Sequence, residues 1–371
     1  MNENTLRLAQ FVQPLDIESR TPEFFRLAQE EDRQRLNALL EKQPGCTVLD
    51  QIESQLRDLL KLENPERPLT EEEYRKGIEA KLGGTPREYY GVWVYYPWRN
   101  LLVHLLDEEE FIRVRTIRNA YKITFEEQAI LRTKKVGVIG LSVGQSVSLA
   151  LALERIAGEI RIADFDTLEL SNLNRIRTGV HHLGVRKTTI VAREIAEIDP
   201  FIKVVCFDEG MTQENIHEFV YGNGKLDLIA EECDNIPVKI AVRRFAREHG
   251  LPVVMDTSDR GLIDIERFDK EPTRELFHGL LGANYNELLQ SPEGIKQLTM
   301  NIIEVDKVSQ LGLASLGQIG KTITNWPQLA TDVLFGGAVL AKLIEQILLG
   351  KDVPSVRKRL DVLNHYTGIA N

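Results

Sequence analysis

Cysteine is scarce, with three residues in 371 (Cys46, Cys206 and Cys233) and no Cys-x-x-Cys pair among them. That excludes a disulfide framework and the paired-thiolate kind of structural zinc site, and it makes a reduced, cytoplasmic setting the expectation. A basic region is also lacking. Residues 1–120 carry 17 Lys and Arg against 22 Asp and Glu, and the whole chain carries 46 against 56, a formal charge of −10. Neither part offers the positive surface that nucleic acid requires. No apolar run reaches the roughly 20 residues of a membrane span. The greasiest stretch, Leu329 to Leu349, is interrupted by Asp332, Lys342 and Glu345, and Met1 to Gln13 has no apolar core of the secretory type. Internal repeats and low-complexity linkers are absent as well. What remains is a globular composition, 43% hydrophobic and 27% charged. The length suits two domains, or one large domain with an appendage.

The first part of the chain reads as a helical region followed by an aromatic one. Thr21-Pro22-Glu23 has the form of a helix start, a capping side chain followed by a proline whose missing N–H is not needed there. Ile52, Leu56, Leu59 and Leu60 keep helical spacing, and Thr70 with Glu73 forms a capping box. Gly83-Gly84-Thr85-Pro86 ends this pattern, and Tyr89 to Trp98 is dense in aromatic and β-branched residues, as a strand would be, with Pro97 ending it or placing it at an edge. The aromatic run suits either a stacking platform or a packed layer. His104, within Leu101 to Leu106, suits a satisfied buried histidine.

From Thr124, which forms a second capping box with Glu127, strands and helices alternate. Strands are predicted at 135–140, 159–164, 203–207, 226–230 and 252–255, with helices at 143–156, 187–198, 215–221 and 238–249. This alternation predicts an α/β fold, a Rossmann-like and mainly parallel sheet with helices on both faces. Ligands of such sheets bind beyond the carboxyl ends of the strands.

The first strand runs into Gly140-Leu141-Ser142-Val143-Gly144-Gln145. A glycine turn here points backbone N–H groups and a helix terminus at a phosphate, although the same residues suit a plain tight turn. Asp164 follows Gly140 by 24 residues, near the separation of about 20 at which an acid holds a ribose hydroxyl. Together these features point to a nucleotide. The chain then presents Asp164-Phe165-Asp166, Ser171-Asn172-Leu173-Asn174-Arg175, Gly184-Val185-Arg186-Lys187 and, after the fourth strand, Asp234-Asn235.

This ordered set, D-x-D, S-N-L-x-R, G-x-x-K and D-N, resembles the adenylating enzymes of the ubiquitin-activating, ThiF and MoeB type. The resemblance covers roughly Arg115 to Phe268. Over Arg113 to Phe277 the chain is especially similar to a bacterial ThiF-type subgroup whose turn is also G-L-S-V-G. In that subgroup a nitroreductase-like domain sometimes follows, for which a chain ending at Asn371 is too short. The resemblance implies a 1–114 helical and aromatic region, then a 115–371 adenylation domain whose part from about 283 is mostly helical.

It also implies roles. Asp164 would hold the ribose, and Gly140, Ser142, Gly144, Asp166, Ser171 and Asn235 would line the nucleotide site. Asn172 and Arg175 would bind phosphates, and Lys187 would neutralise the α-phosphate. Asp234 would hold Mg²⁺. Arg115-Thr116-Ile117-Arg118-Asn119 matches an element whose second arginine reaches the γ-phosphate of a neighbouring subunit, which nominates Arg118 and a homodimer. Each of these residues also has an ordinary structural alternative: surface ion pairs for Arg175 and Lys187, a helix cap for Asp234, a helix-face charge for Arg118.

Two departures stand out. Ser142, Val143 and Gln145 occupy positions where the family usually has glycine, so the backbone approach to phosphate differs. No cysteine is placed as an acyl acceptor: Cys206 lies mid-strand, Cys46 far upstream, and Cys233 beside the metal acid. The expectation is therefore ATP- and Mg²⁺-dependent adenylation of a carboxylate, without a thioester step and without zinc. The carboxylate would be the terminus of a ubiquitin-like carrier protein, a peptide or a small acid. Arg260, after the fifth strand, is a candidate to pair with it, and Phe277-His278-Gly279 is a possible site element. The alternatives are a catalytically silent nucleotide-binding scaffold that recruits a partner and an NAD-dependent oxidoreductase.

Overall fold

The computed structural model describes residues 18–368, so the stretch Met1 to Gln13 considered above lies outside the described residues. The chain divides into two compact units, Met1–Val114 and Arg115–Asn371.

In the first unit, β1 (Glu23–Phe25), β2 (Thr47–Asp50), β3 (Val92–Tyr96) and β4 (Leu101–Leu105) form a sheet in the order β1-β3-β4-β2. With them come α1 (Glu30–Lys42), α2 (Ile52–Glu63), α3 (Glu71–Leu82) and α4 (Glu108–Thr116). The Thr70–Glu73 capping box starts α3, and Gly83 ends it in the left-handed conformation that a Cβ would disfavour. Thr21-Pro22-Glu23 does not start a helix. It leads into β1, which pairs antiparallel with β3 and buries Phe25, a gain in cross-strand packing that outweighs local helix signals. Pro97 ends β3. Trp93, Tyr95 and Tyr96 are buried, so the aromatic run is core and not an open platform. His104 is fully buried, stacked on Trp93 at 4.2 Å, with Nδ1 2.9 Å from Asp50 Oδ1 and Nε2 2.6 Å from the Tyr90 carbonyl.

The second unit opens with α5 (Phe125–Leu131), capped by the Thr124–Glu127 box. It continues through β5 (Lys135–Ile139), α6 (Gly144–Glu154), β6 (Glu159–Ala163), α7 (Lys187–Ile198), β7 (Lys203–Phe207), α8 (Ile216–Tyr221), β8 (Leu228–Glu231), α9 (Ile236–Glu248) and β9 (Pro252–Thr257). These five strands are mutually parallel in the order β9-β8-β5-β6-β7. Strands β5, β6, β8 and β9 are buried on both faces, as a helix-covered parallel sheet requires, whereas the edge strand β7 is half-buried. Two further strands, β10 (Leu262–Arg267) and, later, β11 (Val356–Arg359), extend this sheet antiparallel beyond β9. Between them lie α10 (Tyr285–Leu288), α11 (Pro292–Ile303), α12 (Gln310–Leu316) and α13 (Ala330–Leu348), and α14 (Val362–Thr367) follows β11.

The greasy stretch from Leu329 is α13, which packs its buried face into the core under the sheet. No helix among the described residues is long and apolar enough to cross a membrane. On the other face, Arg243 of α9 pairs with Glu231 and Glu266, all three fully buried, so the ions compensate one another and avoid unpaired desolvation.

Candidate active site

The carboxyl ends of the parallel strands carry most of the residues nominated from sequence. Gly140 ends β5 with φ 86°, and a Cβ there would lie 2.6 Å from the Cys233 nitrogen. Glycine is therefore needed on two counts, conformation and close approach to the β8 loop. The Leu141 N–H donates to Asp164 Oδ2 at 2.6 Å, and the Asp166 N–H donates to Asp164 Oδ1 at 2.8 Å. Asp164 thus ties the turn to the end of β6. Burial raises its pKa, against the opposing pull of Lys187.

Lys187, at the start of α7, is buried. Its Nζ lies 2.6 Å from Asp166 Oδ2 and 3.9 Å from Asp164 Oδ1. Asn172 is buried in the short turn Leu170–Asn174, where its Oδ1 accepts from the Glu169 N–H at 3.0 Å. Ser171 is exposed beside it. Gly144 opens α6, packed on Val138.

Arg175 follows that turn, half-buried. Its Nε donates to Ser142 Oγ at 3.0 Å, and a terminal nitrogen donates to Asn174 Oδ1 at 2.9 Å. Among the described residues it has no carboxylate partner, and burial lowers its pKa. An uncompensated guanidinium beside a glycine turn is the charge arrangement of an anion site.

Asp234 is exposed in the loop after β8, two residues beyond the Glu232 backbone against which Gly140 packs. The helix cap is Asn235, whose Oδ1 accepts from the Val238 N–H at 3.1 Å, and not Asp234. Among the described residues no group of three or more His, Cys, Asp or Glu could hold a metal ion. Asp234 is the exposed carboxylate of this loop, a hard oxygen donor of the kind that Mg²⁺ takes together with water and phosphate oxygens.

Not every nominated residue joins this cluster. Arg118 is exposed in the turn Ile117–Asn119, and no hydrogen bond or ion pair among the described residues connects it to Ser142, Arg175 or Lys187. Arg260 does not stand free for a substrate. Its Nε donates to Asp361 Oδ2 at 2.7 Å and its NH1 donates to the Lys307 carbonyl at 3.0 Å, contacts to residues far along the chain. His278 is a paired residue, its Nε2 2.9 Å from Asp264 Oδ1 and its Nδ1 2.6 Å from an Arg274 nitrogen.

Two acids to which sequence reasoning gave no role of their own belong to the site region. Glu232 and Asp256 sit at the ends of β8 and β9. Burial and the neighbouring Asp256 charge hold Glu232 well above the ordinary carboxylate range, and burial pushes Asp256 up to about 6. Both Asp256 oxygens are buried without a hydrogen-bond partner. Gln145, read from the sequence only as a departure from glycine, has bonds that reach the arginine loop. The available signal for the two acids was position, at the carboxyl ends of neighbouring parallel strands.

Comparison with known proteins adds the following. Residues 115–367 match the model of the ThiF family. The chain is 43% identical over 273 residues to the uncharacterized protein MT1398 of Mycobacterium tuberculosis, covering 73% of this chain and 38% of that one. It is 31% identical over 149 residues to tRNA threonylcarbamoyladenosine dehydratase 2 of Saccharomyces cerevisiae, covering 40% of this chain and 33% of that one. The chain thus spans well under half the length of either relative. A solved structure, E. coli tRNA N6-threonylcarbamoyladenosine dehydratase in complex with AMP, is 17% identical with a TM-score of 0.48, covering 66% of this chain and 98% of that one.

Proposed function

The chain belongs to the ThiF family, and from that premise we propose that it binds ATP with Mg²⁺ and adenylates a carboxylate, releasing pyrophosphate. The observation that carries this reading is Arg175, a half-buried guanidinium without a carboxylate partner among the described residues, held against Ser142 of the phosphate turn.

Adenylation asks the protein to place a carboxylate in line with the α-phosphate and to stabilise charge as it builds on phosphate oxygens. The turn N–H groups and Arg175 would take the phosphates. Lys187, now on Asp166, lies close enough to the same region to exchange its carboxylate partner for phosphate. Asp164, already accepting one N–H on each oxygen, keeps lone pairs for ribose hydroxyls. Mg²⁺ held by Asp234 would offset the phosphate charge. Arg118, exposed in its turn, would complete the site of a second copy in a homodimer.

The acceptor is the carboxyl terminus of a ubiquitin-like carrier protein, a peptide or a small acid. The proposed reaction has no thioester step: Cys206 lies within β7, and burial raises the thiol pKa of both Cys233 and Cys46.

The test is carboxylate-dependent exchange of labelled pyrophosphate into ATP. Tight ATP binding with neither exchange nor AMP release, whatever carboxylate is supplied, would sink the enzyme reading and leave a nucleotide-binding scaffold. A calorimetric preference for NAD over ATP would point to an oxidoreductase instead.

A further inference from the structure

Two of the turn residues that replace glycine, Ser142 and Gln145, are bonded to the loop that carries Arg175. Gln145 is 2% exposed, and both its amide nitrogen and its amide oxygen are hydrogen-bonded. Its Nε2 donates to Glu194 Oε2 at 2.7 Å and to the Arg177 carbonyl at 3.1 Å, while its Oε1 accepts from the Arg177 N–H at 2.8 Å. Two bonds of opposite direction to the backbone N–H and carbonyl of Arg177 clasp the chain two residues beyond Arg175. Ser142 Oγ accepts from Arg175 Nε itself at 3.0 Å. On the other side, Asn174 Nδ2 donates to the Gln328 carbonyl at 2.7 Å and fixes the residue just before Arg175. A glycine at 145 could make none of the Gln145 bonds.

We propose that Gln145 is a positioning residue for Arg175: together with Ser142 it braces the arginine loop over the phosphate turn. The brace takes the place of the backbone approach that glycines would give. A long cationic side chain loses rotamer freedom when it grips a phosphate, and a loop fixed beforehand reduces that loss. The departure from the glycine pattern is then an exchange of one binding device for another. This inference rests on the reading that Arg175 and the turn take ATP phosphates.

The experiment compares wild type with Gln145→Gly, the residue the turn usually carries, and Gln145→Met, which keeps the length and loses every hydrogen bond. ATP affinity is measured by calorimetry, and hydrogen exchange is measured at the Arg177 amide without nucleotide. Thermal unfolding selects variants that retain the fold. Both substitutions are expected to weaken ATP binding about tenfold, the scale of one or two net hydrogen bonds, and to speed Arg177 exchange selectively. In the exchange assay KM for ATP rises more than kcat falls.

Ser142→Ala, at a half-buried position that tolerates truncation, tests the second tether and is also expected to weaken ATP. Q145G protein that binds ATP as tightly as wild type or better overturns the proposal, because a merely degraded turn would be repaired by glycine. Wild-type exchange at Arg177 in Q145G overturns it as well. Wild-type protein that binds no ATP sinks the functional reading instead, and the Arg177 amide then decides alone whether Gln145 holds the loop.

Discussion

Asp256 and Glu232 lie side by side at the carboxyl ends of β9 and β8, with the Asp256 N–H donating to Glu232 Oε1 at 3.2 Å. Burial raises both carboxyls and the Asp256 charge raises Glu232 further, so the pair favours holding a proton. Helix α13 packs over Asp256, because Gly336 and Gly337 let it approach Asp256 and Ser146 closely.

Asp256→Asn removes one buried charge and supplies an amide donor to Glu232. Its folded pKa of about 6 stands above the ordinary 3.8. The stability this group contributes is therefore complete below 3.8 and lost as pH rises through about 6. The variant is expected to be more stable than wild type at pH 8 by roughly 1–3 kcal/mol, measured by urea unfolding. Equal or lower stability at that pH would contradict the pairing described.

Gly336→Ala tests the same contact from the helix side. Alanine favours a helix over glycine by about 1 kcal/mol, yet a Cβ here would stand 1.9 Å from Asp256 Oδ2. Overpacking is expected to win, with a net loss of roughly 1–3 kcal/mol. Chemical denaturation reads the outcome, and a stabilised variant would refute the close approach.

Glu194, beneath Gln145, is raised by burial to about 7 from an ordinary 4.5. Its contribution is full below 4.5 and lost as pH rises through about 7. Glu194→Gln should lack this slope, so the variant gains on wild type by about 3 kcal/mol across that window. Unfolding at pH 4.5, 6 and 8 measures it. A difference that does not change with pH would count against the assignment.

Arg175→Ala leaves the strands and helices untouched, since its side chain bonds only within the site. Pyrophosphate exchange is expected to fall about 100-fold, the scale of one lost charge-stabilising group, and ATP affinity should lose part of its salt dependence. Unchanged exchange would remove Arg175 from the machinery.

Much of this protein is legible along the chain because the signals are local. The boxes at Thr70 and Thr124 started helices as read, since a cap depends on residues three apart. The alternation from Lys135 to Thr257 gave the parallel sheet because buried strands must be apolar and their crossovers helical. The ordered motifs gave the family. Local signals were also overruled: Thr21-Pro22 lost its helix to pairing between β1 and β3, partners some seventy residues apart.

Pairings that join distant parts of the chain were decided only by tertiary structure. Strands β10 and β11 pair across about ninety residues, a register no local window contains. Arg260 is committed to Asp361, Glu232 shares its buried place with Asp256, and Gln145 grips Arg177. Side-chain burial and hydrogen-bond partners belong to the packed molecule, whereas caps, periodicity and glycine turns belong to the sequence.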